Sequence, residues 1–416
     1  MAGSEDIAPI TELGAVVHRV EYRSTSGITG QPTVVSGVVA VPGGRPPAGG
    51  WVTVALGHGN SGVRHKCGPS LYTNLLGNDV IIAALLYNGF AVAMTDYQGL
   101  GMDDADNPFL DARTYGYNMI DAVRAARATY PSLSDKWISY GVSLGGMAAW
   151  AAGDLADSYG GGLDLLGTVG WFRCRTCGIW SPRPRRGLTR DQYPLLAYLI
   201  DALSRVLPDQ FNADDYRSSY AKSVWEEVLN CIPAGNFAGQ LRATASLGPQ
   251  DLRPRTAAAG QRLYDWLDRT GLPLGTGNFG GKPFFIMYGS DDPLIDWPWT
   301  ARVIAQSCRQ GGHIQAIKRI GETHATLDSS QSVAGCAASS TADPPHRRIV
   351  VTCHEIPQRP HTRRLRRTVG PWSAGDRRRD PRGGGGRTRG LHLPAALLRV
   401  AGTAAGHRDR TGDGLG

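Results

Sequence analysis

The chain has 416 residues, of which 41% are hydrophobic, 8% aromatic and 19% charged. Because domains usually contain ~100–200 residues, this length predicts one large domain with an insertion, or two domains. The share of apolar residues excludes a wholly disordered chain. The most apolar stretch, residues 80–94, is interrupted by Tyr87, Asn88 and Gly89 and is shorter than the ~18 residues of a membrane span, so a soluble protein is expected.

The net charge of +8 is concentrated in the last part of the chain. Residues 341–416 contain 16 Arg, no Lys and 6 acidic residues, a charge of +10. The remaining 28 basic and 30 acidic residues give residues 1–340 a charge of −2. The charge of the whole chain therefore does not predict binding of a specific nucleic acid.

Apolar runs bounded by turn residues predict eight strands, with helical segments between several of them. The predicted strands are Val16–Tyr22, Val34–Val41, Trp51–Leu56, Phe90–Thr95, Trp137–Gly141, Leu163–Val169, Pro283–Tyr288 and His313–Ile320. The predicted helices are Tyr117–Thr129, Leu144–Leu155, Thr256–Leu267 and Trp299–Cys308. This alternation indicates an α/β fold, with a mostly parallel sheet covered by helices on both faces. No helix separates the first two strands, which predicts an antiparallel hairpin at the sheet edge.

More than a hundred residues separate the sixth and seventh predicted strands, far beyond the ~2–6 residues of an ordinary connection. Apolar residues between Leu195 and Leu207 follow helical spacing, so the insertion is predicted to be a helical cap. Such a helix forms either an extra structural layer or the wall of a substrate tunnel. The predicted organisation is a core over residues 1–170, a cap over 171–280, the rest of the core over 281–336 and a tail over 337–416.

Two segments differ in composition from the rest of the chain. Residues 171–187 contain five Arg, two Cys and two Trp without an acidic residue, and residues 337–416 are rich in Arg, Gly and Pro. Such sequences bury too little apolar surface to fold. We interpret both segments as out-of-frame translation of GC-rich DNA, and we predict that the tail is basic and disordered.

The strongest chemical signal is the sequence Gly141-Val142-Ser143-Leu144-Gly145. It follows a predicted strand and opens a predicted helix, which is the context of a nucleophile elbow. A sharp turn there forces the serine into an unfavourable backbone conformation and leaves space only for glycine beside it. The motif alone has little weight in a chain with 55 Gly. Its position between strand and helix makes Ser143 the predicted nucleophile.

A serine nucleophile needs a base and a carboxylate that orients the base, in the chain order Ser, Asp, His for this architecture. Asp292 is the predicted acid, because it stands three residues after the glycine that ends a predicted strand. Its neighbour Asp291 stays open as an alternative. Asp296 is a weaker candidate, since it is better placed to cap the following helix.

His324 is the predicted base. It lies just beyond a predicted strand and a glycine, about thirty residues after the acid. His313 begins that same strand, at the wrong end of a parallel sheet for an active site. A single histidine is often structural, so the prediction rests on the order and placement of the three residues together.

The negative charge that develops on a substrate carbonyl oxygen needs backbone N–H donors. Leu144 N–H, at the start of a helix directly after Ser143, is one predicted donor. Asn60 N–H, in the Gly-rich loop after the third strand, is the other. The alternative for Asn60 is that the loop is a plain Gly-rich turn.

Two further motifs give weaker evidence of a catalytic or binding role. Residues Asp96–Gly101 end another strand and either border the site or form a structural turn, of which we favour the turn. Cys174 and Cys177 have the spacing of a metal or redox pair, but no second ligand pair follows at zinc-site spacing. The sequence therefore predicts no metal site.

The combination of motifs resembles the secretory lipase family of α/β-hydrolases, of the fungal lipase A type and its actinobacterial relatives. The resemblance covers about residues 16–335 apart from residues 171–187. The motifs that carry it are HGNSG (58–62), CGPS (67–70), DYQGLG (96–101), YGVSLGG (140–146), YGSDDPLI (288–295) and GETHATLD (321–328).

This resemblance implies an α/β-hydrolase fold with a helical cap inserted after the sixth strand, and a lipase or carboxylesterase that needs no cofactor. It implies that Ser143, Asp292 and His324 are nucleophile, acid and base, and that Cys67 forms a disulfide with Cys231 of the cap. It also implies export. The first residues lack the pattern of a signal peptide, so we expect secretion with a start internal to a longer precursor, and a cytoplasmic protein is the alternative.

The leading functional hypothesis is hydrolysis of carboxylic esters, with acylglycerols as expected substrates, through an acyl-enzyme intermediate. Acyl transfer on the same scaffold and a catalytically inactive binding protein are the alternatives. We expect a small-molecule or lipid ester as the partner, with transient contact between the cap and a lipid interface. The sequence predicts no specific nucleic-acid partner and does not indicate an oligomeric state.

Overall fold

The computed structural model describes residues 5–102, 105–171, 188–233, 237–274, 281–327 and 348–353. Within these residues, one sheet of nine strands is flanked by α-helices. The strands are β1 (Val16–Thr25), β2 (Pro32–Val41), β3 (Trp51–Gly57), β4 (Ala91–Thr95), β5 (Leu133–Val142), β6 (Asp164–Trp171), β7 (Pro283–Gly289), β8 (His313–Arg319) and β9 (Arg348–Thr352). The helices are α1 (Ala8–Thr11), α2 (Asp79–Tyr87), α3 (Ala112–Thr129), α4 (Leu144–Tyr159), α5 (Tyr193–Val206), α6 (Ser219–Ser223), α7 (Trp225–Val228), α8 (Phe237–Ser246), α9 (Ala257–Thr270) and α10 (Trp297–Arg309).

The strand order is β1-β2-β4-β3-β5-β6-β7-β8-β9. Neighbouring strands from β4 to β8 are parallel, whereas β1, β2 and β9 join the sheet in antiparallel pairings. The predicted edge hairpin is confirmed, since Val16 pairs with Val41 and Thr25 with Pro32. Each of the eight predicted strands overlaps an observed one, and the mixed sheet with flanking helices confirms the predicted α/β fold class.

The core lies on both faces of the sheet because neighbouring strand residues point to opposite sides. Ala55 of β3 packs with residues of α3 and α4, while its neighbours Val54 and Leu56 pack with residues of α1 and α2. All three are fully buried. Burial of a Val or Leu side chain contributes ~1.5–3 kcal/mol, so these alternating contacts fix which face of the sheet each side chain of β3 packs against.

The described residues between β6 and β7 form α5 to α9. A capping box between Thr189 and Gln192 closes the single 3₁₀ turn, Arg190–Gln192, that leads into α5. The same two side chains bond to the loop after β7, with Thr189 Oγ1 donating to the carbonyl of Pro293 and Gln192 Nε2 donating to that of Leu294. That these helices cap a substrate site stays a prediction. No helix in the described ranges has the length and apolar character needed to cross a bilayer.

Two expectations about segment boundaries need correction. The prediction of a disordered tail is wrong for residues 348–353, because β9 pairs with β8 and Cys353 forms a disulfide with Cys308 of α10. The consecutive β-branched residues at 349–351 favour a strand, and the average composition of the tail concealed them. The composition predicts that residues 171–187 do not fold, but Trp171 is the buried last residue of β6. Residues 172–187, with Cys174 and Cys177, and residues 328–347 and 354–416 lie outside the described part of the chain.

Candidate active site

Ser143 occupies a sharp turn between β5 and α4. Its backbone has φ 58° and ψ −122°, a conformation that costs ~1–3 kcal/mol for a residue with a side chain. The turn is held by a hydrogen bond from the Ser143 N–H to the carbonyl of Trp171 at the end of β6 (3.1 Å). The strained serine therefore stands at the carboxyl edge of the sheet, where the loops after the parallel strands meet.

The glycines on either side of Ser143 are required by close backbone packing. A Cβ atom on Gly141 would lie 1.9 Å from the carbonyl oxygen of Gly145. A Cβ atom on Gly145 would lie 1.9 Å from the carbonyl oxygen of Gly57, at the end of β3. The Gly-x-Ser-x-Gly spacing thus follows from the contact of α4 with the strands that precede it.

His324 connects Ser143 to Asp292. Its Nε2 atom lies 3.2 Å from Ser143 Oγ, and its Nδ1 atom lies 2.9 Å from Asp292 Oδ2. A carboxylate only accepts hydrogen bonds, so Nδ1 donates to Asp292, and Nε2 is left to accept the proton of the Ser143 hydroxyl. The His324 side chain is 17% exposed and that of Asp292 is 3% exposed, which leaves the imidazole within reach of solvent or substrate.

Asp292 is oriented by its own loop. Its Oδ1 atom accepts the backbone N–H groups of Leu294 (2.9 Å) and Ile295 (3.0 Å), which leaves Oδ2 for His324. The neighbouring Asp291 is exposed, and its carboxylate accepts the hydroxyl of Ser290 instead. The structure therefore brings Asp292, and not Asp291, to the histidine.

The two remaining candidates lie elsewhere. Asp296 stands at the N-cap position of α10, but its side chain makes no capping hydrogen bond. His313 is exposed at the start of β8, paired with Pro283 at the opposite end of β7 from the Asp292 loop.

The loop after β3 passes beside Ser143. A Cβ atom on Gly59 would lie 3.8 Å from Ser143 Cβ, so the backbone of this loop comes close to the nucleophile at Gly59. The Asn60 side chain accepts the N–H of Gly62 (3.1 Å) and thereby closes a short turn. Leu144 follows Ser143 as the first residue of α4, where the N–H groups have no acceptor within the helix. The backbone at Gly59, next to Asn60 along the chain, thus lies beside Ser143, and Leu144 follows Ser143 directly.

This loop is tied to the inserted helices. Cys67 and Cys231 form a disulfide, and both cysteines are buried. A Cβ atom on Gly62 would lie 2.6 Å from Cys67 Sγ, so the disulfide packs directly on the loop. The next residue of the insertion, Ile232, donates its N–H to the carbonyl of Ser61 (2.9 Å).

Asp96 explains why the motifs at 67–70 and 96–101 occur together. This carboxylate is fully buried at the end of β4 and accepts the hydroxyl of Ser36 (2.6 Å), the N–H of Ser70 (2.9 Å) and the hydroxyl of Ser70. Burial raises the pKa of the Asp96 carboxyl, and these hydrogen bonds oppose that rise. The motif at 96–101 therefore forms a structural turn behind the site. The sequence did not single out Ser36, whose position in a strand gives no signal of this contact.

His58 is a buried structural histidine. Burial lowers the pKa of its imidazole, whose Nδ1 and Nε2 atoms face the carbonyl oxygens of Gly59 (2.6 Å) and Asp96 (3.2 Å). Its own carbonyl accepts the hydroxyl of Tyr97 (3.0 Å), and the Tyr97 ring stacks on Tyr115. These contacts fix the start of the loop that passes Ser143.

Among the described residues, no group of three or more His, Cys, Asp or Glu side chains could hold a metal ion.

The sequence analysis did not identify an ion pair between Arg319 and Glu322, both buried beside the His324 loop. Opposite charges three residues apart are common, so their spacing alone gave no signal of burial.

The secretory lipase family model matches residues 68–174, which include the Ser143 turn, whereas Asn60, Asp292 and His324 lie outside the matched segment. No curated protein matches the chain in sequence.

Solved structures that are similar to this chain include a lipase and an esterase. Candida antarctica lipase A in its closed state is 16% identical with a TM-score of 0.59, over 80% of this chain and 78% of that one. The rice cell wall degrading esterase LipA from Xanthomonas oryzae is 17% identical with a TM-score of 0.54, over 79% of this chain and 91% of that one. At these identities the likeness establishes the fold. The described chain therefore has the α/β-hydrolase fold, and its resemblance to the secretory lipases is confirmed over residues 68–174.

Proposed function

We propose that this protein is a serine hydrolase of carboxylic esters, a lipase or carboxylesterase with acylglycerols among its substrates. The observation that carries the proposal is the continuous contact from Ser143 Oγ through the His324 imidazole to Asp292 Oδ2. The strained turn at Ser143 and the family match over residues 68–174 support it.

In the proposed reaction, Ser143 Oγ attacks the ester carbonyl carbon while His324 Nε2 takes the hydroxyl proton. The imidazolium that forms is stabilised by Asp292, which also fixes the tautomer. His324 then returns the proton to the alcohol oxygen, the C–O bond breaks, and an acyl-enzyme remains. Water attacks the acyl-enzyme with His324 again as base, which releases the carboxylic acid and restores Ser143.

The negative charge on the carbonyl oxygen is stabilised by backbone N–H groups of Asn60 and Leu144. Two arguments support this assignment: Gly59, which precedes Asn60, lies beside Ser143, and the N–H of Leu144 opens α4, where the helix dipole favours a negative charge. A single donor of this kind contributes ~10²–10³ to the rate in enzymes of this chemistry.

The inserted helices form the cap in this proposal. Two sets of contacts support this: these helices bond to the loop after β3, which passes beside Ser143, and to the loop after β7, which carries Asp292. Leu241 on α8 is 52% exposed and Tyr220 on α6 is 46% exposed, which suits transient contact with a lipid surface. The two disulfides support a secreted protein, because such bonds persist in oxidising compartments.

The test is hydrolysis of p-nitrophenyl esters of increasing acyl chain length by the full chain, with Ser143→Ala as the matched control. The proposal expects hydrolysis by the wild-type protein and a loss of at least about 10⁴-fold in the control. Acyl transfer would be recognised by a product ester that dominates over free acid when an alcohol is added. Equal rates for the two proteins would contradict the proposal.

A further inference from the structure

Arg319 and Glu322 form an ion pair outside the proposed triad. The Arg319 Nε atom lies 3.3 Å from Glu322 Oε1, and the two side chains are only 4% and 6% exposed. Burial of two charges is unfavourable, and apolar side chains of similar volume often give a fold that is at least as stable. A contribution to stability alone is therefore a weak explanation for this pair.

The pair spans the turn that leads from β8 to His324. Arg319 is the last residue of β8, and Glu322 lies two residues before the histidine. Gly321 between them has φ 81°, a conformation that glycine adopts readily because it lacks a side chain, and the chain reverses there. The ion pair bridges the turn at the point where the backbone is least constrained.

The backbone of the same two residues holds the loop that carries Asp292. The carbonyl of Arg319 accepts the N–H of Ser290 (2.8 Å), and the carbonyl of Glu322 accepts the N–H of Asp291 (3.0 Å). The hydroxyl of Ser290 in turn accepts the N–H of Gly321 (2.8 Å). A Cβ atom on Gly289 would lie 2.2 Å from the carbonyl oxygen of Glu322, so the two loops are in direct contact.

We infer that Arg319 and Glu322 are positioning residues, whose ion pair holds the His324 loop against the Asp292 loop and so sets the imidazole on the carboxylate. This inference rests on the proposed function. The 2.9 Å contact between Asp292 and His324 joins two separate loops, and their relative position depends on the carbonyl groups of Arg319 and Glu322. A change in the turn would move the imidazole while leaving the sheet intact.

The decisive variant replaces both charges with apolar side chains, Arg319→Met with Glu322→Leu. We expect a thermal midpoint close to that of the wild-type protein, a kcat for p-nitrophenyl ester hydrolysis at least about tenfold lower, and a KM within about threefold. Arg319→Lys, which keeps the charge, is expected to retain most of the wild-type kcat. A double variant with kcat within twofold of the wild type would overturn the inference.

The matched control is the pair Asp121 and Arg124, which has the same spacing on α3, away from the triad. Asp121→Leu with Arg124→Met is expected to lower stability, because Asp121 also accepts the hydroxyls of Ser24 and Tyr159, and to leave kcat unchanged. If the control lowers kcat as much as the Arg319–Glu322 variant does, the inference fails.

A second readout does not depend on catalysis. The proton on His324 Nδ1, shared with Asp292, gives a low-field proton resonance in NMR spectra, identified by its absence in His324→Ala. We expect this resonance to weaken or shift in the double variant and to persist in the control. This resonance separates the two proposals. A wild-type protein without esterase activity contradicts only the proposed function, while an unchanged resonance in the double variant contradicts the positioning role.

Should the double variant fail to fold, Glu322→Gln, which keeps shape and volume, gives the same readouts with the same interpretation.

Discussion

Asp292 and His324 meet at 2.9 Å between Oδ2 and Nδ1, although they belong to two different loops. The residue beside the acid, Asp291, is exposed; its carboxylate accepts the hydroxyl of Ser290, and its backbone N–H donates to the carbonyl of Glu322. Two adjacent aspartates thus have separate roles, which mutation can distinguish.

Asp292→Asn is expected to reduce kcat for ester hydrolysis by about 10⁴-fold, because an amide no longer fixes the reactive tautomer of the histidine. Asp291→Asn, its matched control, should stay within about threefold of the wild type. Steady-state kinetics on one p-nitrophenyl ester measure both. A larger loss for Asp291→Asn would show that the assignment of the acid is wrong by one residue.

Gly145→Ala is expected to destabilise the protein by about 3 kcal/mol or more, since the added methyl group would meet the Gly57 carbonyl oxygen at 1.9 Å. Gly161→Ala is the control, because no atom lies within 4 Å of a Cβ atom there. It should change the free energy of unfolding by less than about 0.5 kcal/mol. Urea denaturation of the two variants makes the comparison, and equal stabilities would contradict the packing argument.

Removal of the two disulfides should have different effects on catalysis. Their sequence separations of 164 and 45 residues predict a loss of stability of about 5 kcal/mol for Cys67→Ser with Cys231→Ser and of about 4 kcal/mol for Cys308→Ser with Cys353→Ser. Only the first pair packs on the loop beside Ser143, so only that variant should also lower kcat under conditions where it is folded. Thermal denaturation and kinetics on both variants test this expectation, which an equal change of kcat would refute.

The buried N-cap residue of α3 should make stability depend on pH. Burial raises the pKa of the Asp111 carboxyl to about 6, opposed by hydrogen bonds from Thr114. Because the folded pKa lies above that of the unfolded chain (about 3.9), the stabilisation is present below pH ~4 and is lost as the pH rises through ~6.

Asp111→Asn keeps a capping oxygen for the N–H of Thr114 but cannot ionise. Relative to the wild type, this variant should therefore gain about 2 kcal/mol in the free energy of unfolding between pH 4.5 and pH 8. Urea denaturation at the two pH values measures the gain. A difference below about 0.5 kcal/mol would contradict the predicted ionisation.

The parts of the fold that the sequence predicted are those with local signals. The alternation of apolar runs gave all eight strands through β8, and the glycines beside Ser143 marked the turn because only glycine fits there. The order of Asp292 and His324 along the chain was informative since each follows a strand whose carboxyl end lies at the same edge of the sheet.

The parts that it missed depend on contacts between distant residues. The bond of Asp96 to Ser36 and the burial of Glu322 exist only once the sheet is assembled, and nothing in the neighbouring residues indicates them. The strand β9 and the disulfide of Cys353 were missed for another reason: a short apolar run was hidden in a segment of unfavourable average composition.

The role of Ser143 as the nucleophile is tested most directly by covalent labelling of the wild-type protein with a fluorophosphonate probe, followed by mass spectrometry of the labelled peptide. A fluorophosphonate reacts with a serine that is activated by a neighbouring base. We expect one label per chain, located on Ser143, with ester hydrolysis lost in proportion to labelling. Hydrolysis that persists in the fully labelled protein, or a label on another serine, would contradict it.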